Sequence, residues 1–78
     1  MAHALMHARW ETAERWYEVE VLYDLLGDLV STRRWGAKKS DKYGKRTVLI
    51  SSEEEGRQFI EKIEKIRIRR TPPYCRVY

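Results

Sequence analysis

Between Arg15 and Tyr23 apolar and polar positions alternate: Tyr17, Val19, Val21 and Tyr23 share one parity, and Trp16, Glu18, Glu20 and Leu22 the other. A period of two in residues that favour extended backbone predicts a strand with one face buried. The DLLGD stretch at 24–28 places Asp, Gly and Asp within five residues, the chemistry of a tight connection. Leu29 to Gly36 predicts a second strand, although neither Val30, Thr32 and Arg34 nor Leu29, Ser31, Arg33 and Trp35 form an obvious core side. The stretch 37–44, AKKSDKYG, has no apolar period and carries Ser40, Asp41 and Gly44, so a loop or hairpin tip is expected there. Thr47, Val48, Leu49 and Ile50 resume a strand.

A helix follows. Ser52 can cap a free N–H, Glu55 stands at the capping-box position, and Glu53, Glu54 and Glu55 suit the positive end of the helix dipole. Phe59, Ile60, Ile63 and Ile66 keep helical spacing, while Arg67, Arg69 and Arg70 fall at the negative end and Pro72 and Pro73 stop the helix. A further short strand is expected around Leu5 to Trp10. The fold class is therefore α+β: a small antiparallel sheet of three to four strands with one C-terminal helix packed on one face. The expected division is an N-terminal segment at 1–14, one domain at 15–70 and a C-terminal tail at 71–78.

Charge changes the picture more than composition does. The net charge is +4, but residues 1–30 carry two cations against six anions, and residues 31–46 carry seven cations against one anion. So local an excess draws polyanions whatever the rest of the chain does. Within it Trp35 stands among Arg33, Arg34, Lys38 and Lys39, with Lys42, Lys45 and Arg46 close behind. An aromatic among cations suits a sugar or base contact with phosphates held by charge. Trp35 is accordingly expected at the surface, and Trp16, in acidic and apolar surroundings, in the core.

The ordered series YEVEVLYDLLGDLVSTRRWGAKK, then GKRTVLISSEEEGRQFIEKIEKIRIRR, resembles the WGR domain over residues 15–70. That module is named for a Trp-Gly-Arg tripeptide and occurs in DNA-dependent poly(ADP-ribose) polymerases and as free-standing bacterial proteins. The resemblance implies a small sheet with one helix and contact with duplex DNA or DNA ends, the motif Trp lying against a terminal sugar. The alternative is a protein–protein interaction module docking onto a larger DNA-associated partner, with the aromatic surface and the tail RRTPPYCRVY as its contact. Trp35 and Gly36 match the motif; Ala37 stands where the family has Arg, and Lys38 and Lys39 replace a more usual apolar residue and Gly. The expected nucleic-acid-binding residues are Arg33, Arg34, Trp35, Gly36, Lys38, Lys39, Lys42, Lys45 and Arg46.

Other chemistries find little support. Cys75 is the only cysteine, which excludes an internal disulfide and a multi-Cys zinc site and points to a reducing compartment. No stretch approaches the roughly 18 apolar residues of a membrane span, so a soluble cytoplasmic protein without a membrane partner is expected. His3 and His7 are four apart, but no carboxylate or Cys partner is evident in the sequence, and no metal is expected. Without a nucleophile beside a base, paired carboxylates or a Gly-rich phosphate loop, neither catalysis nor a cofactor is expected.

Overall fold

A computed structural model describes residues 4–70 and 72–78. Strands β1 (Met6–Glu11), β2 (Arg15–Tyr23), β3 (Leu29–Ala37) and β4 (Tyr43–Leu49) precede helix α1 (Glu53–Ile68) and a short β5 (Cys75–Arg76). They form one antiparallel sheet in the order β4-β3-β2-β1-β5. The α+β class holds, with five strands among the described residues instead of three or four. The short strand expected around Leu5 to Trp10 is β1, and the fifth strand, β5, comes from the C-terminal end. The N-terminal segment supplies β1, which pairs with β2 from Met6↔Val21 to Glu11↔Trp16. The stretch set aside as a tail supplies Tyr74 to the core and β5 to the edge of β1.

Strand parity decides the faces. On one side of the sheet Ala8 and Trp10 of β1 and Tyr17, Val19 and Val21 of β2 meet Ile60 and Ile63 of α1 and Tyr74. Trp10 is 0% exposed. Short polar-flanked strands conceal such a residue from simple pattern reading, because β1 has only two buried positions, Ala8 and Trp10. Trp16, expected in the core, lies instead on the opposite face of β2, half-buried, with the Arg9 guanidinium 4.8 Å from its ring centre and Tyr43 at 6.0 Å. Its parity partner set is Glu18 and Glu20, so burying Trp16 would have buried two carboxylates with it.

Local chemistry explains the joints. In the β2–β3 turn, Asp24 Oδ1 accepts from the N–H groups of Leu26 (3.0 Å) and Asp28 (2.9 Å), and Gly27 takes φ 83°, a backbone state that favours glycine. Ser52 caps α1, its Oγ accepting from Glu55 N–H at 3.1 Å, while the Glu55 carboxylate reaches back to Ser51 N–H at 2.8 Å. The Ser51 hydroxyl, which also donates to this carboxylate, and the Ser51 N–H hold the Glu55 carboxyl below the usual carboxylate range. Gly56 is buried where α1 crosses the sheet: a Cβ there would sit 3.1 Å from both γ-carbons of Val21. The close approaches of α1 are to β1, β2 and β5. The β3–β4 half of the same face is left open beside the helix. Among the described residues no helix is long and apolar enough to cross a membrane.

Candidate nucleic-acid interface

The basic run is divided between the two faces of the sheet. The loop itself is short, since β3 continues to Ala37 and β4 begins at Tyr43. Lys39 and Lys42 lie exposed in that loop. Arg34 and Lys45 oppose each other across β3 and β4, and Arg33 and Arg46 do so at the next position, on the other side.

On the face away from α1, the strand cations are largely spoken for. Arg34 Nη1 lies 2.7 Å from Glu20 Oε1, and Lys38 Nζ 2.7 Å from Glu11 Oε1. Arg9 Nε sits 2.7 Å from the other oxygen of Glu11. Hydrogen bonds from Lys38 and Arg9 hold the Glu11 carboxyl below its ordinary range. Burial opposes charge on Glu18, yet Tyr78 Oη, donating at 2.6 Å, and His7 keep this carboxyl lowered as well. His7 Nε2 and oxygens of Glu18 and Glu20 lie within 4.8 Å of one another. His7 therefore has the carboxylate neighbours that the sequence does not reveal, brought in across β1 and β2. Those oxygens already face Arg9, Arg34 and Tyr78, so the group is an ion-pair network. His3 lies outside the described residues.

The face that carries α1 is different. Arg33, Trp35, Gly36 and Arg46 border a cleft of ≈ 390 Å³ with Arg15 from the start of β2, Arg67 and Arg70 from the end of α1, and Tyr17 and Tyr74. Five arginines line it and no carboxylate does. The Arg67 guanidinium stacks 3.9 Å from the Tyr17 ring centre and 5.2 Å from that of Tyr74; Arg33 lies 5.4 Å from Phe59. These cation–π contacts hold the cations in place without neutralising them. Nε of Arg33 and Nε of Arg67 are buried without a hydrogen-bond partner among the described residues. Trp35 is 40% exposed, its ring near-parallel to Tyr17 at 18° and 6.3 Å.

Of the nine expected residues, Arg33, Trp35, Gly36 and Arg46 thus come together in the cleft. Arg34 and Lys38 are tied to carboxylates, and Lys39, Lys42 and Lys45 lie outside it. Sequence reasoning missed Arg15, Arg67 and Arg70. A signal for two of them existed: Arg67 and Arg70 follow Ile63 by four and seven residues and so flank the apolar stripe of α1. A second hollow of ≈ 480 Å³ lies beyond Arg15 and Arg70, between Thr12 and Pro72, but Glu14 lines it and only two cations do. No family model, curated protein or solved structure matches the chain.

Proposed function

We propose that the domain binds nucleic acid, holding phosphates with Arg15, Arg33, Arg46, Arg67 and Arg70 while Trp35 receives a sugar or base. The observation that carries this is the carboxylate-free arginine cleft with a half-open tryptophan at its rim. Guanidinium groups suit phosphate by their planar donor fork. Recognition is of backbone and not of sequence, because α1 spends its apolar side on the sheet and cannot enter a major groove with it. The WGR resemblance points the same way, resting on the sequence series and on Trp35 and Gly36. If about five phosphates are engaged, log K falls against log salt with a slope of roughly −3.5 for a single strand and −4.5 for a duplex. Titration of blunt, nicked and single-stranded DNA of equal length at two salt concentrations tests it. Absence of binding at low salt refutes it.

The alternative reading, an interaction module docking onto a larger DNA-associated protein, has one observation in its favour, the β2–β3 turn. Leu25 and Leu26 are 98% and 87% exposed on a turn ordered by Asp24. An apolar contact of that kind would change little with salt, which separates it from phosphate binding.

A further inference from the structure

We infer that the cleft takes an unpaired strand in preference to a duplex, an inference that rests on the nucleic-acid function proposed above. The cleft does not end at Arg33. A second hollow of ≈ 300 Å³ shares Tyr17, Arg33, Arg67 and Arg70 with it and continues along α1 past Phe59, Lys62 and Ile66. Together they form a groove whose floor is the open half of the sheet and whose wall is the helix.

Three features of that groove suit a single strand. Its cations stand beside aromatic rings: Arg67 on Tyr17, Arg33 by Phe59, and Arg46 in the same hollow as Trp35. A basic groove with stacking platforms is how unpaired strands are held, phosphates on the cations and bases on the rings. Hollows of a few hundred Å³ admit a drug-sized group, comparable to a nucleotide, and not a double helix. Away from its ends a duplex keeps its base faces inside its own stack and has no ring to lay on Trp35. The third is the absence of any carboxylate among the residues that line either hollow, so a phosphodiester is the acceptor its guanidinium groups can take. The cations a duplex would meet first are elsewhere, on the exposed loop at Lys39 and Lys42.

Fluorescence anisotropy with three labelled probes tests the preference at one salt concentration: oligothymidylate and oligouridylate of about 12 nucleotides, within the span that single-strand folds cover, and a blunt duplex of the same length. At least one of the two strands is expected to bind about tenfold or more tighter than the duplex, and the better one names the sugar. Combining Arg46→Glu with Arg70→Glu, both exposed side chains that carry no core packing, should weaken strand binding about tenfold or more; Lys39→Ala with Lys42→Ala should change it by less than about threefold. Thermal melts confirm that both variants fold. A duplex bound as tightly as the better strand, or a strand affinity lost with the loop lysines and kept without the arginines, overturns the inference while leaving nucleic-acid binding in place. Failure of all three probes at low salt removes both.

Discussion

Gly44 faces Trp35 across β3 and β4, and replacing it with alanine is the sharpest perturbation of the proposed contact. A Cβ at Gly44 would lie 2.5 Å from Trp35 Nε1 and 2.6 Å from Cζ2, and closer still to Cε2. The indole therefore rests flat against a strand position that only a hydrogen can occupy, with Tyr17 alongside at 6.3 Å. The ring must leave in Gly44→Ala. Overpacking costs about 1–3 kcal/mol and a lost aromatic pair about 0.5–1.5 kcal/mol. Because Trp35 already stands 40% exposed, it can swing outward, which puts the stability loss near the lower end, about 1 kcal/mol. Binding suffers more: displacing a stacking ring removes about 1–3 kcal/mol, roughly 5- to 150-fold in affinity. The assay is a double-mutant cycle with Trp35→Ala, reading nucleic-acid affinity alongside thermal melts. If Gly44 acts through the ring, its substitution adds almost nothing once Trp35 is gone. Full affinity in Gly44→Ala, or losses that add in the double variant, would refute the placement of Trp35 as the contact.

Trp10→Ala should cost about 3–5 kcal/mol and unfold much of the population, since a 0%-exposed ring is removed from a domain of this size holding about 4–12 kcal/mol in all; Trp16→Ala should cost about 1 kcal/mol, and urea melts of the two variants rank them. Ser52→Ala removes the cap of α1 and should cost about 1 kcal/mol in the same melts. Glu11, Glu18 and Glu55 titrate below the ordinary 4.5 when folded, so the unfolded chain binds protons more readily; stability should be level above about pH 4.5 and fall as pH drops through their folded values. Burial and the bond to Glu18 raise the Tyr78 phenol above its ordinary 10.0, so its contribution is present below that pH and lost as pH climbs through the raised value. Melting temperatures across pH 3–11 check both limbs, and a profile unchanged in Glu18→Gln would discount that carboxylate.

The fold was legible where a segment carries its own signal. The alternation of β2, the Asp and Gly of the 24–28 turn and the Ser52–Glu55 cap each act locally, and each stands where the sequence places it. The C-terminal end was not legible, because β5 is extended by pairing with β1: Arg9 exchanges backbone bonds with Val77 and Tyr78, some seventy residues away in the chain. The extent of β3 was hidden for a related reason. Its parity is ambiguous because Arg33 and Trp35 occupy the core-facing side where α1 covers the sheet only in part, Arg33 resting against Phe59 and Trp35 standing 40% exposed. The site was half legible. Charge counting found the basic run but could not see that Glu11, Glu18 and Glu20 on the neighbouring strands take up Lys38, Arg9 and Arg34. Nor could it see that Arg15, Arg67 and Arg70, far apart in sequence, arrive beside Arg33.

The division of charge follows from strand parity, and parity makes it testable as a whole. Glu18 and Glu20 share a face with Arg34, while Val19 and Val21 share one with Arg33, because antiparallel register pairs Glu18 with Arg34 and Val19 with Arg33. The carboxylates of β1 and β2 therefore fall on the side away from α1, where they pair with Arg9, Arg34 and Lys38. On the helix side the corresponding positions are apolar in β1 and β2, so the arginines that reach past them have aromatic faces for neighbours and no anion. A slip of one residue between β2 and β3 would exchange the faces, burying Arg34 against the core and exposing valines, which is why the hydrophobic side of β2 holds the register. The same alternation that builds the core thus leaves one strip of uncompensated guanidinium beside it. An anion from outside the chain is the partner we propose for that strip.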